Sequence, residues 1–235
     1  MRRLLLIAFV SGTLAGLVWF AIQLIFVVPL IERAEEYEAK PHHEATAPAH
    51  ESHDDESKWH PARGWQQNAF TAAATVLTGI GLSFVLFGAV AAARQQLTAM
   101  RGALWGLAGF ACFTVAPALG LPPQPPGMPH ADLTDRQIWW ITTVVLTAAG
   151  LYLITGATSR VTLSRLGGAV LIAAPHLMGA PAATGVSTVP KELVMQFIAA
   201  SIAGAGLFWV VLGFIGGYLV QHFGGELHQR SRPLS

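Results

Sequence analysis

Apolar residues gather in six windows, at about 4–30, 69–93, 102–121, 138–157, 166–183 and 194–220, and the longest polar stretch, 31–67, falls between the first two. A bilayer span needs roughly 20 mainly apolar residues. The pattern therefore predicts an all-α integral membrane protein with six transmembrane helices. The fifth window, LGGAVLIAAPHLMGAPAA, is interrupted by Pro175, His176 and Pro181, which leaves open a five-span arrangement in which this segment is re-entrant. The first window opens MRRLLLIAFV like a signal peptide, but its apolar run continues to Pro29 without a small-residue cleavage site. An uncleaved signal-anchor helix is expected. The resulting organisation is a signal-anchor helix over 1–30, an outer loop over 31–67, a five-helix membrane domain over 68–221 and a tail over 222–235.

Composition agrees: 53% of the residues are hydrophobic and 11% charged, against about 25% charged in soluble proteins. Charge also orients the chain. With the N-terminus inside, six spans place Arg2, Arg3, Arg94, Arg101, Arg160, Arg165, Arg230 and Arg232 on the inner side against a single acid, Glu226. The outer side then holds Arg33, Lys40, Lys58, Arg63, Arg136 and Lys191 against the other twelve acids. Basic residues accumulate in short cytoplasmic loops, so both termini are expected in the cytoplasm and the protein in the inner (plasma) membrane. The lone Cys112 lies inside the third window and says nothing of redox compartment.

Segment 39–58 is polar and proline-punctuated, too poor in large apolar residues to fold alone. Before it, PLIERAEEYE reads as a helical extension of the first span. Trp59 and Trp65 stand before the second span, and Trp139 with Trp140 at the outer edge of the fourth, as an interfacial aromatic belt would. The second outer loop, LPPQPPGMPHADLTDRQ, is stiffened by five prolines. APALGLP (116–122) and APHLMGAP (174–181) echo each other and suggest that 69–122 and 138–181 form a repeated helical hairpin. Gly12/Gly16, Gly102/Gly106 and Gly213/Gly217 have the spacing that lets helices approach closely in lipid.

The candidate chemistry is metal capture. Five of the nine histidines fall in HHEATAPAHESHDDESKWH, which offers His42, His43, Glu44, His50, Glu51, His53, Asp54, Asp55, Glu56 and His60. Imidazole and carboxylate without thiolate suit divalent first-row metals, and the irregular spacing predicts weak, exchangeable binding at overlapping sites. Inside the membrane His176 is the ionisable residue expected to mark a pathway. Pro175 beside it frees the carbonyl of Leu171. The Pro-broken third span adds Cys112 and Pro117, and Met128 and His130, near Asp132 and Asp135, offer an outer contact for a cation. Counting from the inner ends puts Cys112 and His176 both near mid-membrane. A phosphate-binding glycine loop, a nucleophile elbow and a metalloprotease helix are all missing from the sequence, so an enzyme is not expected, and an ATPase motor would be another chain.

In PLIERAEEYE (29–38), RGWQQN (63–68), APALGLPPQPPG (116–127), ADLTDRQIWW (131–140) and APHLMGAP (174–181) the chain resembles the CbtA family, a predicted cobalt transporter subunit. The resemblance implies cobalt uptake for cobalamin synthesis, with a small single-span, histidine-bearing CbtB-like partner. The His-rich insertion at 42–60 has no counterpart among those motifs. The expectation is a permease subunit for a divalent cation, cobalt ahead of nickel or zinc, with no resident cofactor. Its partners would be the bilayer, the CbtB-like chain and a second copy of itself, and not nucleic acid. The alternative is a non-transporting scaffold or metal sensor that presents the His-rich loop to a partner.

Overall fold

The computed structural model describes residues 2–38, 64–156 and 161–223, and among these every regular element is helical. Helix α1 (Arg2–Ile22) continues through a π-helical turn, Gln23–Val27, into α2 (Val28–Glu38), the extension that PLIERAEEYE predicts. After the loop come α3 (Trp65–Ala92) and α4 (Ala99–Phe110), the latter running through a second π turn, Ala111–Val115, into the short α5 (Ala116–Ala118). Then follow α6 (Leu133–Thr155), α7 (Val161–Met178) and α8 (Lys191–Phe223).

The π turns have a local cause. Each ends two residues before a proline, Pro29 or Pro117. A proline inside a helix lacks an N–H and its ring collides with the carbonyl four residues back. Widening one turn absorbs that collision: Val28 N–H donates to Gln23 O, and Ala116 N–H to Ala111 O, each five residues back. Pro175, by contrast, is fully buried inside α7 without such a turn.

The main pairings run in a layer, α3 beside α1, then α8 and α4, whose continuation through the π turn and α5 meets α6, itself paired with α7. Helices α1 and α3 meet through glycine: a Cβ on Gly12 would lie 2.6 Å from the Ile80 Cα. Ser83 Oγ crosses this seam to donate to Ala8 O at 2.7 Å. Gly102 and Gly106 of α4 face Gly213, Gly217 and Trp209 of α8, where a Cβ on Gly213 would stand 3.0 Å from the Gly106 N. The three glycine spacings thus sit at helix contacts. A cluster of Ala15, Leu86, Phe208, Trp209 and Leu212 forms the main buried core.

Among the described residues five helices are long and apolar enough to cross a membrane, Arg2–Tyr37, Trp65–Ala92, Ala99–Ala118, Leu133–Thr155 and Lys191–Phe223. The fifth apolar window becomes the shorter α7, a single helix of 18 residues packed antiparallel along α6. The echoed hairpins are not built alike, because α6 and α7 pack along their length whereas α3 and α4 barely touch. Shared Ala, Pro, Leu and Gly words carry too little information to dictate a common packing.

The connections sort to two ends. At one, Ala99 N–H donates to the Gln221 side chain. At the other, Ala34 of α2, Met128 of the Pro-rich loop and Val189 and Leu193 by α8 pack together, and the Thr188 hydroxyl donates to Gly127 O at 3.5 Å.

Candidate functional site

The nine outer-loop ligand candidates, His42, His43, Glu44, His50, Glu51, His53, Asp54, Asp55 and His60, lie outside the described residues, as do Glu56 and Trp59. Among the described residues no three His, Cys, Asp or Glu side chains come together to hold a metal ion.

The six pathway candidates fall in separate places. His176 is the third residue from the end of α7 and packs edge-on to Trp139 in the second turn of α6, ring centroids 6.0 Å apart. It therefore sits toward the Pro-loop end of α7 rather than midway along that helix. Helix α7 begins at Val161, five residues before its apolar window, since Ser164 and Arg165 are helical too. The His176 Nε2 and the Trp139 Nε1 are both buried without a hydrogen-bond partner. One further buried polar side-chain atom is unpartnered among the described residues, the Thr147 hydroxyl two turns along α6. Thr143, between them, satisfies its hydroxyl on Trp139 O at 2.8 Å. Ser164 Oγ spans α7 to α6, donating to Leu153 O at 2.7 Å.

Trp139 is thus not part of an aromatic belt. It is 8% exposed, packed against His176 and Gly120, whereas its neighbour Trp140 is 38% exposed. A helix turns about 100° per residue, so consecutive tryptophans serve different surroundings: one reads α7, the other Phe113 across a 6.0 Å ring separation.

Trp140 and Phe113 belong to a cavity of about 600 Å³ between the second π turn, the Pro-rich loop and the start of α6. Pro117 and His130 line it, joined by Gln124, Arg136 and Gln137. His130 Nδ1 lies 2.8 Å from Gln124 Oε1. Cys112 is buried on the π turn with no hydrogen bond to His176. Met128 sits in the apolar cluster with Leu30, Tyr37 and Val194. Asp132 caps α6, accepting from the Thr134 and Asp135 N–H groups at 2.8 and 3.4 Å.

A family model described as probable cobalt transporter subunit (CbtA) matches residues 1–221. The chain belongs to the CbtA family. No curated protein and no solved structure matches it. Membership and the five apolar helices make the chain a multi-pass membrane protein and a subunit of a cobalt transporter, which implies a partner.

Arg136, Gln137 and Trp140 were missed as site residues by sequence reasoning, which read Arg136 as one outer charge. Arg136 and Gln137 stand four and three residues before Trp140, which puts each on the helical face of that ring, and that is the signal in the motif RQIWW.

Proposed function

We propose that this CbtA-family chain is the permease subunit of a divalent-cation uptake system, cobalt ahead of nickel or zinc. Cation gathers on the outer loop at 42–60 and passes inward beside His176. The observation that carries the inner step is the buried, unpartnered Nε2 of His176, an imidazole nitrogen with metal-ligand chemistry on a helix whose Pro175 removes the hydrogen bond to Leu171 O. On this reading α7 crosses the bilayer as a sixth span and both termini face the cytoplasm across the inner membrane. The topology supports it: Arg2, Arg3, Arg94, Arg101 and Arg165 belong to one end of the layer, and Glu32, Glu35, Glu36, Asp132, Asp135 and Glu192 to the other. The partner is a CbtB-like single-span chain, and the energy source lies outside a chain that itself performs no catalysis.

Cobalt uptake by cells expressing the full chain with its partner tests this. His176→Ala should reduce uptake to background while the protein still reaches the membrane. Undiminished uptake would refute the inner step, and uptake that does not depend on the chain at all would favour the scaffold or sensor. A peptide covering 39–62 should bind cobalt or nickel at about pH 7.5 and lose affinity below about pH 6.5 as imidazoles protonate. Titration without binding would remove the capture step.

A further inference from the structure

The cavity beside α6 has the wrong chemistry for a bare cation. Among the described residues its one formal charge is the Arg136 guanidinium, and no carboxylate of theirs lines it. Arg136 makes no side-chain hydrogen bond or ion pair among the described residues, although Asp132 and Asp135 stand within four residues of it in sequence. Asp132 is occupied instead in capping the helix.

The remaining polar groups are tilted toward donation. With its side-chain oxygen 2.8 Å from His130 Nδ1, Gln124 keeps its amide N–H groups available for donation to a ligand in the cavity. Gln137 adds a second amide one residue from Arg136. Behind this rim the walls are apolar and aromatic, Phe113 and Trp140 among them. The cavity opens where the long apolar helices α4–α5 and α6 give way to the Pro-rich loop. A guanidinium with flanking amide donors fits phosphate oxygens, and bidentate pairing makes arginine well suited to them. An apolar floor below a cationic rim fits a molecule whose charge is attached to hydrocarbon.

We propose that this cavity binds the phosphate headgroup of a membrane phospholipid, its oxygens on Arg136 and Gln124 and its upper acyl carbons against Phe113 and Trp140. The site is distinct from His176, which packs on the α7 side of α6 and does not line the cavity, so the proposal stands or falls independently of the transport route. A lipid there would hold the Pro-rich loop to the start of α6 and so brace the outer end of the molecule.

The full-length protein in detergent micelles provides the test, with retained lipid read by native mass spectrometry. Wild-type protein should retain dioleoyl phosphatidylglycerol in preference to dioleoylglycerol, which has the same chains and no phosphate. Arg136→Gln should lower that retention about tenfold, the loss of one charge-assisted contact. Arg136→Lys, which keeps the charge and gives up the fork, should fall between the two and covers the case in which Arg136→Gln fails to fold. Equal retention of the two lipids, or variants that retain phosphatidylglycerol like wild type, would overturn the proposal. If millimolar inorganic phosphate displaces the lipid and raises the thermal midpoint only when Arg136 is present, the ligand is free phosphate and the lipid assignment is overturned.

Discussion

The α4–α8 seam and the α6–α7 seam are both antiparallel helix contacts, yet they are made of different materials. Along α4–α8, glycine lets backbone approach backbone, and Trp209 fills the remaining space over Gly109. Along α6 and α7 the contact is polar as well as close, with Gly150 against Gly168 at one level and Trp139 against His176 at another. Among the described residues, the three buried side-chain polar atoms without a partner all belong to this second pair of helices. Helices in lipid gain no hydrophobic advantage from touching one another, so van der Waals contact and hydrogen bonds must hold them. The first seam spends its surface on contact, which rigidifies. The second leaves hydrogen-bonding capacity unfilled in a buried place, which costs stability and suits a ligand that comes and goes.

Three substitutions can break or sharpen that contrast. Gly213→Val puts a branched side chain into the Gly102 backbone and should cost about 3 kcal/mol, the upper part of the usual overpacking range. Thermal unfolding in detergent should show a clear drop in midpoint, and a wild-type midpoint would mean that close approach does not hold this seam. His176→Ala should change stability by about 1 kcal/mol or less, since the residue is only partly buried and its Nε2 makes no bond. A large loss of stability would make His176 a packing residue and equate the two seams. Thr147→Val is the subtlest: it removes an unpartnered buried hydroxyl at nearly constant shape, and should leave stability unchanged or raise it by up to about 1 kcal/mol. Destabilisation there would reveal that Thr147 is in fact hydrogen-bonded in the membrane.

Much of the layer was legible in the chain. Apolar runs marked the long helices, PLIERAEEYE announced the extension α2, and paired glycines marked the close contacts. What could not be read was which face of a span meets protein. Lipid-facing and protein-facing positions are equally apolar, so no periodicity separates Trp139, nearly enclosed, from Trp140 beside it. The depth of His176 failed for another reason: a hydropathy window begins where polar residues stop, whereas α7 begins at Val161 and carries Ser164 and Arg165 in its first turns. The site suffered from both problems. The pathway candidates came from residue type alone, and the structure distributes them among a seam, a cavity and an apolar cluster.

The widened turns before Pro29 and Pro117 carry one more consequence. A π turn takes up an extra residue and so shifts the angular phase of everything beyond it. Before its π turn, the third span shows Gly102, Gly106 and Gly109 to α8; beyond it, the contacts pass to α6. The first span lies against α3 and α8 before Gln23; beyond Val27 it leaves α3, keeps α8 and packs Ala34 into the cluster with Met128 of the Pro-rich loop. Each proline thus acts as a change of gear, letting a single rod mesh with one neighbour over its lower length and another over its upper.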